Sequence, residues 1–572
     1  MTGKTKVTRR ARQEGQPLSD VHKQVMWSRL ISVVEEQAAT LIRIAFCPSV
    51  REAGDLSAGV FDRSGRMMAQ AVTGTPGHVN TMAEAVFHFI REFEPRGIHE
   101  GDTWITNDPW KGTGHLHDIT VVTPTFRHGE LVGFFACTAH VVDIGGRGFG
   151  PDARELYEEG LFIPILKLFD RGVENEVLTS IIRNNVREAD QVLGDMFSLG
   201  ACNDVGIRRL LEMMDEFDID DLDELAEFIF ENSARATKER LARLRIGATS
   251  TNQMTLDGYD EPVTLAVTLT VSDEGVNADF TGTSPASRFG INVPLIYAKA
   301  YACYGLKCAL APEIPNNHAS LAPFTVSAPE ACILNAQRPQ PVAVRHVLGH
   351  FVPDLVLGAL PGITDMDVPA EGAGSLWNLH ISVRPEPGNA DGEPAEILMF
   401  NSGGTGARAS LDGLSSTAFP SGVHTMPVEA SEHVGPITIW RKELRPYSGG
   451  AGKHRGGLGQ IMEISPNEGF HFRFNAMFDR CGHAAAGREG GLPGAEGNVS
   501  LADGTQLRSK GTQEVPAGGR LVLEMPGGGG HGDPADRDPA LVAMDVVNGY
   551  VSVDEAQRVY HHPVTVTAPG NA

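Results

Sequence analysis

The chain has 572 residues, of which 41% are hydrophobic and 21% are charged, and its formal net charge at pH 7 is −24. This length exceeds what one hydrophobic core supports, so several domains are expected. The negative charge argues against nucleic-acid backbones and anionic membranes as partners, because both favour basic protein surfaces.

The N-terminal third begins with elements of ordinary soluble character. Residues 1–19 carry five basic side chains without a following apolar segment, which predicts a disordered basic tail rather than a signal peptide. Apolar residues at three- and four-residue spacing predict an amphipathic helix over 20–46, and two short strands at 56–61 and 66–70 follow it. A second helix is predicted over 80–93, which places His78 in a capping or binding loop just before it.

A β-hairpin is predicted from residues 119–126 and 131–142, which are rich in β-branched and aromatic side chains. If residues 128–130 form its loop, antiparallel pairing makes Asp118 face His140. Facing residues have Cβ atoms roughly 4.5–5.5 Å apart, near enough for a carboxylate and an imidazole to share one ion. His115 can join them from the preceding turn, so the sequence predicts a metal site at the mouth of this hairpin.

In the rest of the chain the predicted secondary structure changes twice. Helices are predicted over 152–161, 177–214 and 222–246, and alternating strands begin after residue 250. Beyond residue 371 glycine and proline become frequent and the strands are short. These patterns predict an α+β multidomain protein with a tail at 1–19, an α/β metal-site region at 20–250, a mixed α/β region at 251–370 and a β-rich region at 371–572.

The residue types near the hairpin fit catalytic more than structural metal binding. His115, Asp118 and His140, joined by His117 and Asp55, would offer zinc, manganese or iron three to five nitrogen and oxygen ligands without a thiolate. By spacing alone, exposed histidines at the end of a hairpin explain the pattern equally well.

Other motifs are weaker candidates. His346, His350 and Asp354 recur every four residues in RHVLGHFVPD, but no glutamate follows His346 as in HExxH and Pro353 would disturb the helix, which favours a solvated or capped helix face. The segments SGGAGKHRGGLG and PGGGGHGDP do not match a P-loop and predict tight turns. Seven scattered cysteines without a CxxC pair, and the absence of any ~18-residue apolar run, predict a reduced cytoplasmic protein.

Several segments in collinear order resemble the hydantoinase B family. They include VREAGDLSAGVFD, GTPGHVNTM, NDPWKGTGHLHDIT, AHVVDIGG, EGLFIPILKL and NNVREADQVLGD. The family includes B subunits of ATP-dependent hydantoinases, 5-oxoprolinases and caprolactamases, and large subunits of acetone and acetophenone carboxylases. The resemblance covers nearly the whole chain after residue 20. It departs from the family where HLPD becomes HLHD, adding His117, and where RERxDFS becomes REAGDLS beside Asp55.

The resemblance implies a division of labour between two polypeptides. An A-type partner binds ATP with Mg²⁺ and phosphorylates the substrate oxygen, and the B-type subunit carries a divalent metal, zinc or manganese with iron as an option. The metal motif of the family maps onto His115, Asp118 and His140, with Asp55 as fourth ligand.

We therefore expect hydrolysis of a cyclic amide such as a hydantoin, oxoproline or another lactam by a cytoplasmic hetero-oligomer, α2β2 or similar. Asp143 or His117 would orient the water or act as general base, and His78 would contact the substrate. The alternatives are a subunit of an ATP-dependent ketone carboxylase and a non-catalytic scaffold for the ATPase subunit.

Overall fold

The computed structural model describes residues 18–72 and 75–564, which form an α+β protein with four β-sheets. The predicted tail at 1–19 falls almost entirely outside these residues. None of the helices in the described ranges is long and apolar enough to cross a membrane. The domain boundaries stay predictions, and the sheets below provide the frame for the site.

The first sheet is antiparallel throughout and has the strand order β2-β1-β5-β4-β3-β6-β7. Its seven strands are β1 (Leu56–Asp62), β2 (Met67–Gln70), β3 (Thr103–Thr106), β4 (Asp118–Arg127), β5 (Glu130–His140), β6 (Leu166–Asp170) and β7 (Val173–Glu174). Six helices accompany it: α1 (Asp20–Ile44), α2 (Pro48–Arg51), α3 (Pro76–Phe93), α4 (Glu176–Arg183), α5 (Ala189–Phe217) and α6 (Asp223–Leu241).

Both faces of this sheet are covered, so its central strands are apolar on both sides. On β5, Phe135 and Cys137 pack on the side of α1 and α5, whereas Phe134 and Ala136 pack on the side of α3. The predicted helix at 152–161 is wrong: this stretch is irregular apart from one 3-10 turn, Leu156–Glu158.

The second sheet has the order β11-β10-β9-β8 and packs against α7 and α10. Its strands are β8 (Thr249–Leu256), β9 (Val263–Val271), β10 (Val276–Asp279) and β11 (Phe324–Ser327), and its helices are α7 (Leu295–Leu310), α8 (His318–Leu321), α9 (His346–Gly349) and α10 (Val352–Ala359). Every second residue of β9 is buried, so one face of the sheet meets the core.

Two four-stranded sheets share one core in the C-terminal part, with orders β13-β12-β16-β18 and β14-β15-β19-β17. The strands are β12 (Leu379–Pro385), β13 (Ala395–Met399), β14 (Ile437–Leu444), β15 (Gln460–Pro466), β16 (Phe470–Met477), β17 (Asn498–Leu501), β18 (Lys510–Val515) and β19 (Leu521–Glu524). The helices are α11 (Val428–Val434), α12 (Pro539–Val547) and α13 (Val553–Arg558).

The glycine-rich segments are packed backbones rather than the predicted tight turns. Gly528 donates its backbone N–H to the carbonyl of Gly457 at 2.9 Å, and Gly457 donates to Thr405 at 2.9 Å. A Cβ on Gly528 would lie 1.9 Å from the Thr405 oxygen. Glycine is therefore needed here because the chains approach too closely for any side chain, and not because a turn needs a positive φ.

Candidate metal centre

The β4–β5 hairpin brings together two residues of the predicted site. Asp118 pairs with His140, and the predicted register continues to Thr125, which pairs with Gly133. The register then shifts by one residue, because the turn is shorter than the predicted loop. It consists of His128 and Gly129, both with positive φ, as a two-residue hairpin turn requires.

Strand alternation decides which side of the sheet the site occupies. His140 shares the face of Phe134 and Ala136, which is covered by α3. This helix begins at Pro76 rather than near residue 80 as predicted, with proline at its first position. His78 therefore lies in the first helical turn, where its ring reaches Asp118.

His115, Asp118 and His140 offer ligand atoms that all lie within 4.8 Å of one another, and all three residues are buried. His115 Nδ1 lies 2.8 Å from the carbonyl oxygen of Ala343. A carbonyl only accepts hydrogen bonds, so Nδ1 carries the hydrogen and Nε2 of a neutral ring carries a lone pair. That Nε2 faces Asp118 Oδ1 at 3.0 Å.

The charge states of this pair favour a cation between its two atoms. Burial is the main cause that lowers the pKa of His115, and Arg345 adds to it. Burial alone would raise the pKa of Asp118, but His115, His78 and Arg345 outweigh it and hold this pKa well below its usual range. Two buried acceptors thus face each other, an arrangement that costs free energy unless a positive ion joins them.

His140 supplies the third donor. Neither of its ring nitrogens has a hydrogen-bond partner among the described residues, and burial, followed by the neighbouring His115, holds its pKa well below the usual range. A neutral, unpartnered imidazole is the state in which histidine binds metals. The residues present therefore fit a divalent metal with two nitrogen donors and one carboxylate oxygen.

His117 is a fourth buried imidazole beside this set. Its ring centroid lies 5.7 Å from that of His115 and 5.5 Å from that of His140, and both its nitrogens lack a partner within the described ranges. Its pKa lies well below the usual value, mainly because the side chain is buried. Phe149 packs against all three rings, with centroids 4.9–5.7 Å away. His117 does not belong to the three-residue ligand set in the described part of the chain.

The second oxygen of Asp118 is held by two groups from other elements. Arg345 Nη2 donates to Oδ2 at 2.5 Å, and His78 Nε2 lies 3.0 Å from the same oxygen. Arg345 also donates through Nε to the carbonyl of Thr113 and stacks on the ring of Tyr297. Sequence reasoning missed Arg345, although an arginine within an apolar stretch signals a buried partner of opposite charge.

Asp55 lies behind His78 rather than in the three-residue set. It accepts a hydrogen bond from Thr75 Oγ1 at 3.0 Å, and His78 Nδ1 is 3.6 Å away. Burial raises the pKa of Asp55. Burial would lower the pKa of His78, but the carboxylates of Asp118 and Asp55 raise it overall. The ligand role of Asp55 stays a prediction.

Asp143 is already engaged elsewhere. Its Oδ1 accepts from Arg187 Nη1 at 2.7 Å and from the backbone N–H of Gly145 at 3.1 Å, and its Oδ2 accepts from the backbone of Arg187. It thus fixes the loop after β5, and its predicted catalytic role stays untested.

His346 and His350 correct the sequence reasoning, because they are buried at the site rather than on a solvated helix face. Both line a cavity of about 20 Å³ together with Asp55, His78 and His140. Each Nδ1 lacks a hydrogen-bond partner in the residues that the structure describes, and burial holds both pKa values well below the usual range. The signal was present in the sequence, since the residues around these histidines are mostly apolar.

Comparison with known proteins identifies the family. Residues 19–534 match the family model described as hydantoinase B/oxoprolinase, and the chain belongs to this family. The B subunit of a putative D-/L-hydantoinase from Pseudomonas sp. (strain NS671) is 28% identical, with 95% of each chain covered.

Two solved structures share the fold. The crystal structure of the ATP-dependent caprolactamase from Pseudomonas jessenii superposes with a TM-score of 0.84 at 25% identity, covering 97% of this chain and 98% of the other. Nucleotide-free acetone carboxylase gives a TM-score of 0.83 at 22% identity, covering 94% of this chain and 79% of the other. The second likeness supports the fold alone.

Proposed function

We propose that this chain is the metal-bearing B-type subunit of an ATP-dependent hydrolase that opens a cyclic amide. The observation that carries the proposal is the buried pair of acceptors, His115 Nε2 and Asp118 Oδ1, which face each other at 3.0 Å beside an unpartnered His140. A protein has little reason to bury such a set unless a cation binds there.

The donor set suits zinc or manganese, with iron as a further option. His115, Asp118 and His140 would hold the ion, with Asp55 as a fourth ligand. A divalent cation supplies Lewis acidity there, because it polarises a carbonyl oxygen and lowers the pKa of a water.

The surrounding residues keep the donors in place and handle protons. Arg345 and His78 occupy Asp118 Oδ2, so Oδ1 is left as the donor. His117 suits the role of orienting the water better than Asp143, since its nitrogens are open whereas Asp143 is bound to Arg187, but its lowered pKa makes it a weak base. His78 lines the cavity and would also contact the substrate.

ATP belongs to the partner in this proposal, because the glycine-rich segments of this chain do not match a P-loop. An A-type subunit would phosphorylate the amide oxygen with ATP and Mg²⁺, which makes the unreactive carbonyl carbon electrophilic. The two subunits would form a cytoplasmic hetero-oligomer, α2β2 or similar.

The test is turnover by the purified chain co-expressed with its A-type partner. Hydantoin, 5-oxoproline and caprolactam are added one at a time without bicarbonate, and ADP release and ring opening are measured. We expect turnover with at least one of them, and His115→Ala and His140→Ala to abolish both activity and bound metal. Turnover only with a ketone and bicarbonate would indicate a carboxylase instead. A wild-type protein purified without metal, or variants as active as wild type, would favour the scaffold alternative.

A further inference from the structure

Glu159 is a buried carboxyl whose contacts lead to the candidate metal centre. It follows the 3-10 turn Leu156–Glu158, and only 1% of its surface is exposed. Its Oε1 accepts hydrogen bonds from the backbone N–H groups of Val342 at 2.5 Å and Ala343 at 2.8 Å. One oxygen thus fixes two consecutive residues of a non-helical segment.

The same segment delivers the carbonyl that sets the tautomer of His115. The peptide joining Ala343 to Val344 is held on its N–H side by the carbonyl of Gly290 at 2.9 Å. Its carbonyl oxygen accepts from His115 Nδ1 at 2.8 Å. Because a peptide unit is planar, anchoring the residues around it fixes the direction of that carbonyl.

The carboxyl at position 159 is present for its contact with this segment, although one of its two oxygens is unpaired. Its second oxygen, Oε2, is buried without a hydrogen-bond partner in the part of the chain that the structure describes, which costs free energy. An apolar side chain of similar volume would avoid that cost, but it would leave the backbone N–H groups of Val342 and Ala343 without this acceptor.

We propose that Glu159 is a positioning residue for the metal centre: through Val342 and Ala343 it holds the carbonyl that keeps His115 Nε2 available as a metal donor. The role rests on the proposed function, since it has a purpose only if the site binds a cation. Hydrogen bonds behind a metal-binding histidine fix its ring and tautomer, and losing such a partner typically weakens metal affinity 10–100-fold. Burial raises the pKa of Glu159 to about 8, so the carboxyl is mostly neutral at pH 7 and glutamine is a close replacement.

The experiment compares Glu159→Gln, which keeps an acceptor oxygen, with Glu159→Leu, which removes it at similar size. Asp354→Leu is the matched control, because Asp354 is also a buried carboxyl that accepts a backbone N–H, from Gly372 at 2.9 Å. Zn²⁺ binding is measured by calorimetry on the full chain, and each variant is crystallised without added metal.

We expect Glu159→Gln to bind Zn²⁺ within about threefold of wild type, and Glu159→Leu to bind it 10–100-fold more weakly. We expect Asp354→Leu to bind Zn²⁺ with the affinity of wild type, even if its melting temperature falls as much as that of Glu159→Leu. In crystals, Glu159→Leu should lose the contact between His115 and Ala343, and Glu159→Gln should keep it.

The two proposals fail in different ways. Wild-type protein that binds no divalent cation would refute the metal centre and with it the role of Glu159. Wild-type binding combined with unchanged affinity in Glu159→Leu would overturn the positioning role alone, as would an intact contact between His115 and Ala343 in that variant. If Glu159→Leu does not fold, Glu159→Ala takes its place. A Zn²⁺ affinity that falls in Glu159→Ala but not in Glu159→Gln supports the positioning role, and an equal fall in both variants contradicts it.

Discussion

At the level of single residues, the candidate metal centre depends on a buried ion pair as well as on apolar packing. Asp118 and Arg345 are almost fully buried and form a pair at 2.5 Å, so each neutralises a charge that would otherwise stand in low dielectric. Removing one partner of such a pair typically destabilises a protein by about 3–5 kcal/mol, because the other charge remains buried.

Arg345→Met is expected to lower the free energy of unfolding by about 3–5 kcal/mol, measured by urea denaturation of the metal-free protein. Arg441→Met is the control, since Arg441 pairs with Glu443 at the surface and its loss should cost less than about 1 kcal/mol. Equal effects of the two substitutions would contradict the electrostatic interpretation of the Asp118–Arg345 pair.

Asp354 makes a prediction about pH. Burial raises its pKa from 3.8 to about 6. Below pH 3.8 the residue is protonated in both states, and between 3.8 and about 6 only the folded state keeps the proton, so stability falls as pH rises. Asp354→Asn should remove this decline and be more stable than wild type at pH 7, by up to about 3 kcal/mol. Melting temperatures at pH 4, 5, 6 and 7 would check it, and parallel curves for the two proteins would refute it.

At the level of elements, sequence patterns predicted the structures that depend on neighbouring residues, such as the β4–β5 hairpin, better than those that depend on distant ones. The alternation of β-branched residues and the Arg127–Glu130 turn region were enough to predict that Asp118 faces His140. The start of α3 was missed by several residues, because the glycine after Pro76 weakens the helical pattern. The apolar residues around Arg345, His346 and His350 signal burial, but spacing could not place the three at the site. Their partners there, such as His78, Asp118 and Tyr297, come from distant parts of the chain.

The two glycines of the β4–β5 hairpin are needed for different reasons, Gly129 for its backbone conformation and Gly133 for a close backbone contact. Gly129 has φ +84° and a Cβ there would meet nothing within 4 Å, so Gly129→Ala should cost about 1 kcal/mol through strain alone. A Cβ on Gly133 would lie 2.4 Å from the Phe61 carbonyl oxygen, so Gly133→Ala should cost up to about 3 kcal/mol by forcing β1 and β5 apart. Urea denaturation of both variants would compare them, and a smaller cost at Gly133 would contradict the contact argument.

On the scale of the whole molecule, glycine contacts join segments that are far apart in sequence. Backbones near residues 371, 405, 450, 457, 492 and 528 hydrogen-bond to one another without forming strands. Glu371 in this assembly also accepts from Arg480, whose guanidinium stacks on Phe351, next to His350. The glycine-rich assembly therefore connects the C-terminal sheets with the segment between α9 and α10, which contains His350 and Phe351.

Gly528→Ala should consequently affect the protein far more than its single methyl group suggests. The new Cβ would lie 1.9 Å from the Thr405 carbonyl oxygen, and the neighbouring atoms are backbone that cannot turn aside. Overpacking of this kind typically costs about 1–3 kcal/mol, and several segments of the assembly would have to shift together, so we expect the upper end or above. Gly518→Ala is the matched control, because its φ of +76° brings strain but its Cβ would meet nothing within 4 Å. Melting temperatures of the two variants decide the matter. A Gly528→Ala protein that melts no lower than Gly518→Ala would mean that the assembly is loosely packed and does not hold the C-terminal sheets against the metal centre.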